Sequence, residues 1–567
     1  VYCQSTKTAS RSRLNSARTD LAQVGPQTRF PLTADPHRVA TALGLDRTQG
    51  LIRMNLTYPR DANARYVVRV ANDAGSAARD TVRGREDSRF VRWWLPLLIA
   101  GIAVIVRLAM THQAGGLYAA LNPDEGAYYG ASLGLVNGLL PYRDLLLLHP
   151  PGIAVLLAPF AALSQLTGEP DSLAIMRLGV VLLGGLNTAL VYGVARRVGT
   201  PAAISAALFY ALWFPAVRVE RTSLLEPFVI TAILVALLVT TGPRVSNRRL
   251  IVGGLVVGVL ASTKMYSLVP LGIIVVALLF NHGWRRAGTF LLALAGGFVA
   301  VCLPFFILAP GAMFRMVLTD QLGRDGETYF WARMRDILAL TELDPSAGAV
   351  TMGTVALVAV ITVIACIWIP PARLWAALLV AQLGVLLSAP NLFINYTAYT
   401  SATLALLIGG VAQVICGGVG AQVRPIRFVT VALAVCLFAG LGFLNRPPAG
   451  YPFPATDVSA AVNGASCVTA DSATALILTN TFHSNLANGC PVVVDFTGQV
   501  YETRGYPLSR SENPEFQRLA LEYLNRGERV IITRQAADGF TPETLANIQR
   551  RPILYTNKNV TVYGPLP

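Results

Sequence analysis

The chain alternates long apolar runs with short polar connections. Runs of near membrane-spanning length lie near residues 93–110, 173–195, 201–217, 222–241, 249–262, 265–281, 288–308, 349–369, 371–389, 396–417 and 427–444. A helix needs about 20 apolar residues to cross a bilayer, so the pattern predicts an α-helical polytopic membrane protein with about 11 transmembrane helices. The run PPGIAVLLAPFAALSQL (150–166) is shorter and contains Pro159. It is expected to lie at the interface or re-enter rather than cross. Beyond residue 444 the period changes. CVTAD (467–471), PVVVDF (491–496), RVIITR (529–534) and PILYTN (552–557) read as strands, with helical patterns in EFQRLALEYLNRG and TPETLANIQRR. That alternation predicts a small α/β domain over 445–567.

Arginine placement orients the spans. Arg79, Arg83, Arg85, Arg89 and Arg92 precede the first run. Later clusters are Arg196 and Arg197, Arg244, Arg248 and Arg249, Arg285 and Arg286, Arg373, then Arg424 and Arg427. All fall on one side if 150–166 does not cross, and basic loops mark the cytoplasmic side. The N-terminus is then cytoplasmic and the C-terminus extracytoplasmic. The transmembrane domain covers 94–444, and residues 111–172, 309–348 and 445–567 face outward.

Composition agrees with this picture. The 567 residues are 53% hydrophobic and only 14% charged. The net charge of +15 would suit nucleic acid if it formed a patch. Instead, 16 basic against 8 acidic residues sit in 1–93 and much of the rest in short loops, so no nucleic-acid partner is expected. No cleavable signal-peptide pattern opens the sequence, and 1–93 reads as a mostly disordered cytoplasmic extension. Cys302, Cys366, Cys416 and Cys436 lie in apolar runs and read as small hydrophobes. Cys467 and Cys490, in the polar C-terminal region, are candidates for a disulfide if that region is outside.

Candidate chemistry gathers on the outer side. LNPDEGAYYG (121–130) places Asp124 and Glu125 in the first outer loop, followed by Tyr128 and Tyr129. Adjacent acids there suit a helix N-terminus capped by Asn122 or Asp124. They equally suit a general base, because partial desolvation raises a carboxylate's basicity. His149 precedes a Pro-Pro corner in LLLLHPPG. Arg218, Glu220 and Arg221 follow the third run, with Glu226 about one turn into the fourth, where an ionisable group needs a partner or a polar cavity. Lys264 ends the fifth run, placed to pair with Glu226, to bind an anionic head group, or to snorkel. Tyr329, Phe330 and Trp331 read as sugar-stacking residues or an interfacial belt, and DQLGRDGETYFWARMRD is placed to cover the site.

The order DEGAYYG, LLHPPG, then an acid in RTSLLEPF resembles the GT-C superfamily of membrane glycosyltransferases. The likeness is to the protein O-mannosyltransferase/aminoarabinose-transferase branch, including the RgtA/B/C/D-like group, in the actinobacterial style. It covers roughly 94–420 and is strongest over 120–230. The resemblance implies a GT-C-like fold and transfer of a sugar from a polyprenyl-phosphate donor to an envelope glycan, lipid or protein acceptor on the outer face of the plasma membrane. Asp124 matches the family's catalytic acid, beside Glu125, and Glu226 matches a second acid. His149 matches the basic residue before Pro-Pro, Arg177 an Arg-Leu motif, and Lys264 a late Thr-Lys motif. Tyr396 matches a His-Tyr motif in which Asn395 here replaces the histidine.

In the resulting mechanism Asp124 takes the acceptor proton and Glu226 orients acceptor or metal. Arg221, Lys264 and His149 neutralise the departing phosphate, and membrane lipids surround the donor tail. A divalent cation is compatible with the acids, but no motif requires one and the metal ligands stay unknown. No GxGxxG, Walker, Cys/His metal or Ser nucleophile motif competes. Two rivals remain from other classes. A secondary transporter or lipid flippase would show internal repeats and paired broken helices, which are not evident. A noncatalytic membrane scaffold would tolerate loss of the acids.

Overall fold

The computed structural model describes residues 29–30, 66–67, 74–242, 245–324, 330–340, 348–417, 424–444, 450–534 and 538–567. The chain divides into two units, Val1–Phe90 and Val91–Pro567. In the first, Arg29–Phe30 pairs antiparallel with Tyr66–Val67. The expectation of disorder for 1–93 otherwise falls largely outside the described residues.

The second unit is built on apolar helices. Among the described residues six are long and apolar enough to cross a membrane: Trp94–Gln113, Glu169–Ala195, Met265–His282, Trp284–Leu308, Val350–Trp368 and Ile394–Gly417. Shorter apolar helices are Gly152–Thr167, Thr200–Leu212, Glu226–Thr240, Ala372–Ser388 and Ile426–Gly440. Lipid gives helices little hydrophobic reason to associate, so close backbone approach matters. Asn247–Ala261 and Trp284–Leu308 meet along Gly254, Gly258 and Gly297, and a Cβ on Gly258 would lie 2.0 Å from the Leu294 carbonyl oxygen.

Two expected spans end differently from their hydrophobic pattern. The run 201–217 breaks at Trp213, because Pro215 opens a new helix, Phe214–Val219. Glu226 is the first residue of its helix rather than a turn inside it, with Pro227 next. An acid there faces the positive end of the helix dipole.

The bundle has two chemically distinct ends. Glu226 opens its helix at one end. At the other, Arg197 donates to the carbonyls of Leu237 (3.2 Å), Leu238 (2.7 Å) and Thr241 (2.7 Å), capping that helix's last turn. The helix Gly152–Thr167 starts and finishes at the Glu226 end. The Gly152 amide donates to the Ser262 carbonyl at 2.9 Å, just before Lys264. Glu169, just past its other end, binds the C-terminal region.

That region carries a four-stranded sheet in the order Val468–Ala470, Arg529–Ile532, Thr561–Tyr563, Ile553–Thr556, the first pair parallel and the others antiparallel. The helices Pro514–Arg526 and Pro542–Gln549 form as the sequence predicts. The expected strand 491–496 does not pair. Val494 and Phe496 are buried by packing alone, so the alternation that imitates a strand is a packing pattern. Thr561–Tyr563 is a strand the sequence reading did not include. Cys467 and Cys490 form a disulfide.

The C-terminal region docks onto residues 120–169 and onto Arg315 through several polar contacts. Ala120 and Tyr451 exchange backbone hydrogen bonds of 3.0 and 3.1 Å. The Glu169 carboxylate accepts the amides of Phe482 (3.0 Å) and His483 (2.6 Å), and Arg315 pairs with Glu502 at 2.9 Å. A Cβ on Gly126 would sit 2.5 Å from the Thr474 amide nitrogen, so helix Pro123–Val136 presses directly on helix Ala473–Leu478.

Candidate active site

The short helix Pro123–Val136 sets the site. Asn122 caps it, its side chain accepting from the Asp124 amide at 2.9 Å. Successive helical residues point about 100° apart, so the two acids and the two tyrosines of DEGAYY face different surroundings.

Asp124 and Tyr128 face a cavity of about 640 Å³. Its walls come from four parts of the chain: the segment from Asp124 through Leu148 to His149, Arg324, the stretch containing Asn391 and Tyr396, and the C-terminal region with Asp495, Tyr501, Arg510 and Arg534. Asp124 is exposed, but to this enclosed space, with protein around it on the other sides. That loss of bulk water pushes its carboxyl up to about 6. The Asp495 and Glu226 carboxylates add to the rise, while Arg534 and Lys264 oppose it.

Lys264 pairs with Glu226 at 2.7 Å, both nearly buried. Its ammonium also lies 3.4 Å from the Tyr396 ring centre and 5.3 Å from that of Tyr266, a cation–π seat. Arg324 stands 5.2 Å from the Tyr501 ring and 5.9 Å from Phe393. Its Nε meets no hydrogen-bond partner among the described residues.

His149 lines the cavity with its ring 5.7 Å from Tyr128, edge to face. Burial, then the charges of Lys264 and Arg324, hold its imidazole well below the ordinary value.

Glu226 and Lys264 do not line the cavity, nor do the remaining expected residues other than Tyr396. Glu125 is fully buried and paired with Arg177, whose Nε donates at 2.9 Å. The Ser223 amide also donates to Glu125, at 3.4 Å. Tyr129 is buried and donates to Ser172 at 2.9 Å. Arg221 is buried and donates to the carbonyls of Arg218 (3.3 Å) and Met110 (3.5 Å). Glu220 turns into the bundle, where Arg107 binds it at 2.9 Å and Asn187 and Tyr210 each at 2.6 Å. Asn395 accepts from Arg218 at 3.5 Å while its neighbour Tyr396 lines the cavity. Phe330 and Trp331 are half exposed and absent from the cavity wall, and Tyr329 lies outside the described residues. Among the described residues no group of three or more His, Cys, Asp or Glu side chains is arranged to hold a metal ion.

The sequence reading missed Arg324, Asp495, Arg510 and Arg534. Their signal was weak: charges at the ends of apolar or loop segments, with nothing local to show that the C-terminal region closes over Asp124.

Residues 148–308 match the family described as dolichyl-phosphate-mannose-protein mannosyltransferase. Two solved structures of ArnT from Cupriavidus metallidurans share the fold. The one bound to undecaprenyl phosphate is 14% identical, with 82% of this chain and 97% of that chain covered and a TM-score of 0.52. The apo state is 15% identical with the same coverage and a TM-score of 0.54. No curated protein matches the chain in sequence. The chain thus shares the fold of these ArnT structures, matches the mannosyltransferase family over residues 148–308, and carries the apolar helices of a multi-pass membrane protein.

Proposed function

We propose that the protein transfers a sugar from a polyprenyl-phosphate donor to an envelope glycan, lipid or protein acceptor at the outer face of the plasma membrane. The N-terminus is then cytoplasmic and the C-terminal region outside. The observation that carries this reading is Asp124, a carboxylate at the mouth of the bundle whose pKa of about 6 suits a base at neutral pH. It stands in a cavity that also holds cationic groups, in a chain with the fold of an enzyme solved with undecaprenyl phosphate.

Asp124 accepts the proton of the acceptor hydroxyl as its oxygen attacks the anomeric carbon. The bond from that carbon to the phosphate oxygen breaks, and the electron pair leaves with the polyprenyl phosphate. Arg324, with its unmet Nε donor, and Lys264 offset the charge gathering on that phosphate. Glu226 holds Lys264 in place and acts on Asp124 through its charge. His149, Tyr128 and Tyr396 shape the wall around the sugar. Glu125, Arg177, Arg221 and Tyr129 frame the site without touching substrate.

The full-length protein in proteoliposomes, supplied with polyprenyl-phosphate sugars and an envelope fraction, tests this. Release of free polyprenyl phosphate coupled to sugar transfer is expected for at least one sugar. Movement of the intact lipid-linked sugar between leaflets, with no release, would contradict it and favour a flippase.

A further inference from the structure

The cavity is walled on one side by the C-terminal region. The rest of the wall contributes Leu146, Leu147 and Leu148 and aromatic rings, together with Asp124, His149, Arg324 and Asn391. The C-terminal wall contributes Asp495, Thr497, Ser509, Arg510 and Arg534, which are carboxylate, hydroxyl and guanidinium groups within one surface. We propose that this wall is the acceptor subsite and that the acceptor it holds is a carbohydrate, presented through its ring hydroxyls to Asp124. The inference rests on the transferase reading and narrows its acceptor from three classes to one.

These side chains are set in place by a layer behind them. Asp495 accepts the Gly498 amide at 2.9 Å, and a Cβ on Gly498 would come within 2.4 Å of that carboxylate and push it aside. Arg510 donates through Nε to the Asp538 carbonyl at 3.0 Å, while Gln517 donates to the carbonyls of Arg510 (2.7 Å) and Gly539 (2.8 Å). The backbone at Arg534 is anchored where its amide meets the buried Asp471 carboxylate at 2.6 Å, beside the Thr533 amide at 2.7 Å. Loop residues tied this way keep their side chains oriented without a ligand, which lowers the cost of binding.

The chemistry suits a sugar. Neighbouring hydroxyls match the twin donors of a guanidinium and the twin acceptors of a carboxylate, and Tyr501 offers a ring at the same wall. An acceptor polypeptide would instead call for backbone partners along an extended groove, whereas the polar groups of this wall's charged residues are side-chain forks. Asp495 and Arg534 also act electrostatically on Asp124, which puts the wall beside the group that takes the acceptor proton.

The test uses the full chain in nanodiscs and three kinds of probe. Soluble oligosaccharide fragments of an envelope polysaccharide form one arm, and a diacylglycerol glycoside in the bilayer forms the second. A Ser/Thr-rich peptide forms the third, and undecaprenyl phosphate reports the donor side. Binding of a carbohydrate probe is expected, and whichever of the first two arms binds names the source. Asp495→Asn, Arg510→Gln and Arg534→Gln should each weaken it about tenfold or more, the loss expected for one charged hydrogen bond, with undecaprenyl phosphate binding retained. Retained lipid binding also shows that a variant is folded. Peptide binding without carbohydrate binding, or carbohydrate binding that all three variants leave unchanged, overturns the inference. Failure of the unaltered protein to bind undecaprenyl phosphate would instead strike the transferase reading itself.

Discussion

Asp124 and Glu125 are neighbours in sequence and opposites in circumstance. Glu125 is sealed in the protein against Arg177, with the Ser223 amide as a further donor. Asp124 faces the cavity, where cations and anions surround it. A carboxylate buried against a guanidinium has its lone pairs taken up by that partner and no access to a substrate. One kept partly dry and balanced between charges has its basicity raised into the working range. The tyrosines repeat the division: Tyr128 lines the cavity, whereas Tyr129 is tied to Ser172. One residue's rotation about the helix axis, about 100°, thus separates a carboxylate paired inside the protein from one that faces the cavity.

The strongest way to break this comparison is Glu125→Ala. It leaves Arg177 buried without its carboxylate and should cost about 3–5 kcal/mol, read as a fall in thermal stability of the purified protein. Replacing both partners with apolar residues of similar volume should recover most of that loss. A Glu125→Ala protein that is as stable as the original would remove the structural half of the account.

The pH dependence sharpens the other half. Asp124 acts as a base only when deprotonated, so kcat/KM should be flat above its pKa of about 6 and fall as pH drops through it. Asp495→Asn removes a charge that raises this pKa and should move the acid limb to lower pH. Arg534→Gln removes a charge that lowers it and should move the limb upward. Shifts in the same direction would show that neither group acts on Asp124 through its charge. The smallest effect is expected at His149. Because burial and the nearby cations hold its imidazole well below the ordinary value, His149→Gln should leave the position of the acid limb unchanged, whatever it does to the rate.

The sequence disclosed the membrane helices because apolar length is a local property. It also singled out Asp124, Glu226 and Lys264, since charges in an apolar chain stand out. It did not separate Asp124 from Glu125, because their difference lies in Arg177, 52 residues away in the chain. Glu220 looked like an outer-loop charge until Arg107, 113 residues earlier, was seen to enclose it. Asp495 was hidden at the end of an apparent strand whose valines pack without pairing. Arg534 follows a genuine strand, Arg529–Ile532, but nothing local shows that its end reaches the cavity. Contacts between distant segments decide these cases, and they exist only once the C-terminal region has docked on the first loop.

The central claim is the division of labour between the adjacent acids, and a single-turnover measurement on Asp124→Asn with donor prebound tests it most directly. The account predicts that donor binding and thermal stability are retained while sugar transfer falls about 10²–10⁴-fold, the usual worth of a general base. Transfer at the original rate would contradict it, as would a parallel loss of stability and donor binding, which would give Asp124 the same holding role as its neighbour.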